Sequence, residues 1–491
     1  MLDLISVFPD WAPFDAISAI LTRDPLDLMY ICSRLKQRAM VQELNREGSL
    51  YYALAHDQIR STLLGQQSES ARRILHLRVA QNLESRMGHT QIFQYDRLVY
   101  HYCQGGNRFK AFQYKVLSLN AYTGSFYAVL PTLTEGSDTS EPQNISYYFR
   151  ALEQELSALR AGMGQKGDLD DLESILLHSK ASYCVYVGDY KEGLAALGRL
   201  VELCSARGNT QMLIRAHLQY IYYGIQIWDT AVMEEHLAAG MALLEGQEQS
   251  EEYGIYLRME GLLQTMLGQY ERSRETLLRS IDILSRLAQS RGDDRYAINI
   301  AGAYNYIAEN YRIQEDYDQA FLAYDQAIIY NRSRGYYPGA AVFYTNYGVA
   351  AFEKGEREIA RQLFLFALET YRASHEYSGK PIALSYLAFY EAEEGHLEQA
   401  ADYIQEAHQV SDRIRSPWWK GVTLYQCWKI RQLLDERGIE AARLRSLWPQ
   451  DPVQHCRQCL FYLNQMGPRQ ESREMEGVLR QLEEQKQGTQ G

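Results

Sequence analysis

The chain has 491 residues, with 38 tyrosines, 11 prolines and seven cysteines. No apolar run approaches the roughly 18 residues that a membrane-spanning helix needs, and the first residues lack the basic and apolar order of a signal peptide. Because the cysteines are scattered and odd in number, a disulfide framework is not expected, and the sequence predicts a cytoplasmic protein with reduced thiols.

The charge is distributed unevenly along the chain. Residues 1–130 contain 14 basic and 11 acidic residues, a net charge of +3, whereas the remainder contains 36 basic and 51 acidic residues, a net charge of −15. An acidic surface repels nucleic acids and anionic membranes. We therefore expect a protein, a peptide or a small inducer as the partner, and neither nucleic acid nor membrane.

The first 90 residues combine helical patterns with one short hairpin pattern. Helical periodicity covers Phe14–Leu21 and 25–38, a hairpin pattern lies around Ser49–Leu54, and two helical faces lie within residues 51–84. Helix, helix, hairpin and helix is the order of elements in a winged-helix domain.

Two phrases in this region resemble the winged-helix portion of the STAND regulators, multidomain signalling ATPases that include the maltose-regulon activator class. The phrases F-x-H-D-x-I-R-x-x-L-Y and R-R-x-L-H-x-x-I-A-x-x-L-E are matched here by Leu54, His56, Asp57, Ile59, Arg60, Leu63, Leu64, Arg72, Arg73, Leu75, His76, Val79, Ala80, Leu83 and Glu84. The resemblance implies a winged-helix-like domain over residues 1–90. It also makes His56, Asp57 and Arg60 candidates for a relay to a nucleotide-binding domain.

His56 has three interpretations. The resemblance allows a nucleotide-sensing role, and the His56-Asp57 pair is also found in metal sites, but no further ligands follow at helical spacing. The sequence favours a buried histidine that caps a helix.

The nucleotide-binding domain of those regulators is not found in this sequence. Its G-x4-G-K-[ST] loop is missing, since the only Gly-Lys pair, Gly379-Lys380, is followed by Pro381. We therefore expect an ATPase or effector domain to act in cis or in trans. On this interpretation the chain is either the sensor portion of a larger regulator or a relative that has lost its ATPase.

A small residue recurs five positions after a glycine, or after a residue in its place, about every 40 positions. The clearest pairs are Gly355 with Ala360 and Gly395 with Ala400, and the others are Gly188 with Gly193, Ile227 with Val232, Gly268 with Ser273, Glu315 with Ala320, and Glu436 with Ala441. A period in this range is typical of stacked helical hairpins.

The residues around each pair sharpen this prediction. The best copy has Tyr344, Tyr347, Gly348, Gly355, Ala360, Phe364 and Ala367. This frame resembles the tetratricopeptide repeat (TPR), W-x2-L-G-x2-Y followed by Gly and then A-x3-F-x2-A. The predicted fold is therefore all-α, a winged-helix-like domain followed by a right-handed TPR-like α-solenoid of helical hairpins.

Composition and the repeat frame predict five segments. They are a winged-helix-like domain at 1–90, a first degenerate TPR-like hairpin at 91–130, an irregular joint with one helix at 131–168, the solenoid at 169–445, and a helical cap with a polar tail at 446–491.

The TPR resemblance implies that the first helix of each hairpin faces a concave groove. Transferred position by position, the candidate ligand contacts are Arg258, Leu262, Met266, Asn305, Glu309, Arg312, Thr345, Phe352, Ser385 and Phe389. Two arginines among apolar walls suit a peptide whose carboxylates meet the guanidinium groups. The alternative is that these side chains are merely packed or solvated.

The sequence contains no catalytic constellation and predicts no cofactor, no metal and no enzymatic activity. Cys456 and Cys459 have zinc-ligand spacing, but a second pair of ligands is missing, so we expect two thiols on one helix. Two functions remain. The first is a regulatory sensor module that relays binding through the winged helix in a STAND-type signalling or transcription-regulation system. The alternative is a free-standing TPR adaptor that sequesters a partner protein.

Overall fold

The computed structural model describes residues 1–46, 48–86, 95–124, 143–162, 166–292, 294–332, 339–374, 379–414, 416–466 and 470–488. These residues form two compact units. The N-terminal unit contains the described residues up to Thr123 together with residues 143–179, and the C-terminal unit begins at Lys180. The boundary lies within one helix, α9.

The N-terminal unit is helical with one small sheet. Its elements are α1 (Leu2–Ser6), β1 (Ala12–Pro13), α2 (Phe14–Leu21), α3 (Pro25–Gln37), β2 (Val41–Arg46), β3 (Ser49–Leu54), α4 (Asp57–Gln66), α5 (Glu69–Arg86), α6 (Tyr95–Gln104), α7 (Arg108–Gly124), α8 (Gln143–Gly162) and most of α9 (Lys166–Val187).

The three strands form an antiparallel sheet in the order β1, β3, β2. Val41 pairs with Leu54 and Arg46 with Ser49, so the hairpin predicted around Ser49–Leu54 consists of β2 and β3. The predicted helix at 145–160 is α8, whereas residues 131–142 and 163–165 of the predicted irregular joint lie outside the described residues.

The C-terminal unit is a series of antiparallel helical hairpins. Its helices are α10 (Tyr190–Arg207), α11 (Thr210–Ile227), α12 (Thr230–Leu243), α13 (Glu251–Met266), α14 (Tyr270–Arg291), α15 (Ala297–Ile313), α16 (Tyr317–Arg332), α17 (Ala340–Lys354), α18 (Arg357–Ser374), α19 (Lys380–Glu394), α20 (Leu397–Ile414), α21 (Pro417–Glu436), α22 (Ala442–Arg445), α23 (Pro452–Leu463) and α24 (Gln470–Gly488).

Each hairpin turns at a residue with a left-handed backbone. Gly268, Gly355 and Gly395 have this conformation, and Glu315 adopts it at φ 62° without being a glycine. The small residue five positions later is buried, as in Ala320, where it lets the two helices approach closely. Among the described residues, no helix is both long enough and apolar enough to cross a membrane.

One predicted pair is out of register. The left-handed residue between α11 and α12 is Trp228, not Ile227, and the buried residue five positions later is Met233. This large side chain fits because Gly224 lies opposite, where an added Cβ would be 2.8 Å from Met233 Cγ. The turn after α21 likewise has Gly438 in this conformation, two residues after the predicted Glu436.

Candidate functional site

The first helices of the hairpins line one face of the C-terminal unit. Contacts link α11 to α13, α13 to α15, α15 to α17, α17 to α19 and α19 to α21, whereas the second helices from α12 to α20 have few or none with one another among the described residues. The solenoid therefore curves with its first helices on the inside. We call the surface formed by α11, α13, α15, α17, α19 and α21 the inner face.

The predicted ligand contacts lie on the helices of this face, but they differ in environment. Leu262 and Met266 belong to an apolar cluster with Ile221 and Tyr222 of α11. Asn305 is buried, and its Oδ1 accepts a hydrogen bond of 3.1 Å from Asn346 Nδ2. These side chains connect neighbouring repeats.

Two of the predicted contacts are fully buried and bonded within their own helices. The Thr345 hydroxyl donates to Ala341 O at 2.7 Å, and the Ser385 hydroxyl donates to Ile382 O at 2.9 Å. Phe352 and Phe389 pack edge to face with their ring centroids 6.0 Å apart. The Arg357 guanidinium lies 5.1 and 5.3 Å from these two centroids. This part of the inner face is closely packed.

Arg312 lies at the centre of a buried charge cluster. Its Nε and Nη2 donate to both carboxylate oxygens of Glu309 at 3.1 and 3.0 Å, and its Nη1 donates to Glu353 Oε1 at 2.6 Å. Tyr324 donates a hydrogen bond to Glu309. Burial alone would lower the pKa of Arg312, but the two glutamates outweigh it and raise that pKa well above its usual value. Two carboxylates therefore neutralise this guanidinium.

Arg258 has a different environment. It is only 9% exposed, its Nε has no hydrogen-bond partner, and among the described residues it forms no ion pair with an acid. The guanidinium donates a hydrogen bond to the Tyr222 hydroxyl and, with its charge, partly opposes the rise in the Tyr222 pKa that burial causes. Its Nη1 lies 2.5 Å from the point where a Cβ on Gly302 would be.

The C-terminal helix α24 packs against the same structure near Arg312. Met475 is fully buried in the cluster that contains Tyr386 of α19, and Val478, Leu479 and Leu482 pack against that cluster. Glu474 accepts a hydrogen bond from Tyr425 and pairs with Lys429 of α21. The segment predicted as a polar tail is thus an amphipathic helix with its apolar stripe covered.

Glu471, in the first turn of α24, connects this helix to the charge cluster. Its side chain is buried, and Oε1 has no hydrogen-bond partner. Burial and the nearby carboxylates of Glu471 and Glu353 raise the pKa of Tyr386, against the effect of Arg312. We call the portion of the inner face around Arg312, Glu353 and Tyr386 the α24 half.

The portion around Arg258, Leu262 and Met266 is not covered in this way. Its apolar cluster has no member from α24 among the described residues. We call this portion, formed by α11, α13 and the start of α15, the α13 half.

A cleft of about 500 Å³ opens elsewhere, between α14, α15 and α16. Its walls include Arg274, Tyr304, Tyr311 and Leu322, and none of the predicted ligand contacts lines it. The cleft is therefore separate from the predicted groove.

The three relay candidates lie at the start of α4 in the N-terminal unit. His56 precedes the helix, is exposed and forms no capping hydrogen bond, so the prediction of a buried capping histidine is wrong. Asp57 is also exposed. Arg60 donates to the backbone oxygens of Phe8 and Ser6, the latter at 3.4 Å, and so ties α4 to the end of α1.

Residues with metal-binding chemistry have other structural roles. Cys456 and Cys459 are buried on α23, and burial raises the pKa of Cys456 to about 11. Glu391, Glu394 and His396 have ligand atoms within 4.8 Å of one another, but Arg361 pairs with both glutamates. This exposed group is a surface ion-pair network.

The sequence analysis missed the contribution of α24. Its signal was present, because Met475, Val478, Leu479 and Leu482 follow the spacing of one helical face. The many charged and glutamine residues between them concealed this stripe. The paired state of Arg312 was also missed, although Glu309 lies three positions before it on the same helix.

No family model matches the chain, and no curated protein matches it. The fold does resemble solved structures. A Signal Transduction ATPase with Numerous Domains (STAND) protein with a tetratricopeptide repeat sensor from Pyrococcus horikoshii matches with a TM-score of 0.53 and 12% identity, over 91% of this chain and 61% of that protein. This chain therefore spans less than two thirds of that protein's length.

Two further solved structures are more distant. A Rap protein complexed with competence and sporulation factor has a TM-score of 0.45 and 12% identity, over 76% of this chain and 97% of that one. Yeast Tom70 has a TM-score of 0.34 and 10% identity, over 85% and 94%. Identities this low bear on the fold alone, and the first likeness, with its TM-score of 0.53, supports a TPR-like helical solenoid.

Proposed function

We propose that this chain is a non-catalytic regulatory module whose solenoid binds a protein or peptide partner on its inner face. The observation that carries the proposal is the docking of α24. An amphipathic helix already packs in the α24 half, with Met475 buried and Glu474 held by Lys429 and Tyr425. Grooves of this kind commonly take a helix or an extended segment of a partner.

The N-terminal unit is proposed to act as a winged-helix-type relay. Support comes from its order of elements, a helix, a short strand, two helices and a β-hairpin, with all three strands in one antiparallel sheet. The likeness to a STAND protein with a repeat sensor agrees with this role. An ATPase or effector domain, in cis or in trans, would receive the signal, with His56, Asp57 and Arg60 at the start of α4 as the relay residues.

The test is a selection of random displayed peptides on the full chain, followed by hydrogen–deuterium exchange with the best-enriched synthetic peptide. We expect protection on α11, α13 and α15, and a change in exchange around α4 if the relay operates. The proposal fails if no peptide is enriched over the bare support, or if protection falls on the second helices α14 and α16 instead.

A further inference from the structure

We propose that Arg258 is the anchor for a carboxylate of the bound peptide, supplied by an acidic side chain or by the peptide's C terminus. This inference rests on the proposed function and specifies the chemistry of its ligand. It assigns the ligand's acid to the α13 half, whereas Arg312 has a structural role.

Three arginines are buried among the residues that the structure describes, and only one of them has neither a carboxylate nor a backbone carbonyl to compensate its charge. Arg312 pairs with Glu309 and Glu353. Arg431 donates to the backbone oxygens of Gln450 and Pro449. Arg258 has neither an acid nor a backbone oxygen as its hydrogen-bond partner among those residues.

An uncompensated buried cation is unfavourable, because burial removes water that would otherwise solvate the charge. A carboxylate arriving from a ligand would remove this penalty and would form two parallel hydrogen bonds with the guanidinium fork. The free energy lost by burying Arg258 alone is therefore recovered on binding.

The surroundings of Arg258 define the binding site proposed for this carboxylate. Three first helices meet there, since Arg258 on α13 lies beside Tyr222 on α11 and against Gly302 on α15. The absence of a side chain at Gly302 leaves room for the guanidinium. Leu262 and Met266 follow on α13 at helical spacing, so the ligand's acid should be followed by apolar residues.

The charge of the region favours a carboxylate over a phosphate. Residues 131–491 have a net charge of −15, and Arg258 is a single cation. Phosphate recognition usually relies on several arginines, since the group carries close to two negative charges. A monoanion suits this site.

The experiment uses the peptides selected on the full chain. We expect the enriched peptides to share an acidic residue or to require a free C terminus. Replacing the acid by its amide, or amidating the C terminus of the same synthetic peptide, identifies which carboxylate is bound. The effective change should weaken binding roughly 10- to 100-fold, the range for a hydrogen-bonded charged group.

Variants of the protein locate the site. Arg258→Met should weaken binding of the acidic peptide to the same extent and should no longer distinguish the acid from its amide. Arg286→Met is the matched control, because Arg286 lies on α14, is 63% exposed and pairs with Asp282. Its peptide affinity should equal that of the unmodified chain.

Gly302→Ala provides a second variant that keeps the arginine. The new Cβ would lie 2.5 Å from Arg258 Nη1 and would displace the flexible end of that side chain, while alanine favours the helix. Binding should weaken although folding is retained. The inference is overturned if peptides protect the inner face without any preference for an acid, or if Arg258→Met retains that preference. Failure of every peptide to bind overturns the proposed function as well.

Discussion

Each half of the inner face contains a buried arginine, but the two halves differ in how the charge of that arginine is compensated. In the α24 half, Arg312 is neutralised by Glu309 and Glu353, and α24 fills the adjacent surface. In the α13 half, Arg258 is also buried, but among the described residues it has no acid as partner and no residue of α24 packs against its apolar neighbours. Similar repeats can thus provide either a structural centre or a binding surface, and the difference depends on where the carboxylates lie.

The largest expected effect concerns the charge cluster of the α24 half. Arg312→Met should lower the free energy of unfolding by about 4 kcal/mol, because it removes the buried cation that two partly buried carboxylates share. Arg258→Met should cost much less, since it removes an uncompensated charge. Urea unfolding followed by circular dichroism compares the two variants, and equal losses would contradict the proposed difference between the halves.

The next effect concerns the docking of α24. Met475→Ala should cost about 3 kcal/mol of docking free energy, because the side chain is fully buried. Hydrogen exchange in α24 should accelerate while α13 remains protected. Glu484→Ala, at an exposed position of the same helix, is the control and should leave exchange unchanged. If α24 exchanges equally slowly in both variants, Met475 does not hold it.

Acid should destabilise the packing of α23 against α21 through His455. Burial lowers the pKa of this histidine to about 4, and its Nε2 lies 2.9 Å from Leu424 O. The unfolded chain, with a pKa near 6.5, binds the proton more readily, so stability is full above pH 6.5 and falls as the pH decreases towards 4. The loss at pH 5 is about 2 kcal/mol.

This pH effect is measured by urea unfolding at pH 7 and at pH 5. His455→Phe should reduce the difference in the free energy of unfolding between the two pH values by about 2 kcal/mol. The assignment to His455 is refuted if the variant and the unmodified chain lose the same stability on acidification.

The smallest effect concerns the turn between α15 and α16. Glu315→Gly should stabilise the chain by about 0.5 kcal/mol, because glycine tolerates the left-handed backbone better. The lost pair with Arg473, 3.3 Å long and exposed on both sides, contributes little. Comparing the thermal melting of Glu315→Gly with that of Arg473→Ala separates the effect of the backbone from the effect of the ion pair. A net loss of stability in Glu315→Gly would mean that this pair matters for docking α24.

The sequence predicted the hairpins because their turns and small residues obey local rules. Gly268, Gly355 and Gly395 mark turns with their backbone, and Ala360 and Ala400 mark close helix contacts. The register failed at Trp228 because Gly224 and Met233 exchange the small and large roles across the hairpin. Such compensation depends on two helices together and cannot be recognised from one position.

The candidate site was less predictable from the sequence. Helical spacing assigned Arg258 and Arg312 to the same face but gave no sign of their different partners. The second partner of Arg312, Glu353, lies 41 positions away on α17. Only the packing of successive repeats decides whether a buried arginine meets a glutamate or a glycine such as Gly302.

One contact links the first helix of the hairpin series to a helix far along it. The Tyr190 hydroxyl, at the start of α10, donates to Ile414 O at the end of α20 at 2.7 Å, across 224 positions. Gly188 makes the approach possible, since an added Cβ would lie 2.7 Å from Arg413 O.

In an ordinary solenoid each repeat contacts only its neighbours, so the array can extend or bend at each interface between repeats. Here α10 is hydrogen-bonded to α20, and the hairpins between them cannot change their superhelical pitch one at a time. A change in curvature must either break the Tyr190 contact or be shared among all the hairpins between α10 and α20. The stretch of the solenoid from α10 to α20 is thus closed on itself and should deform as one unit.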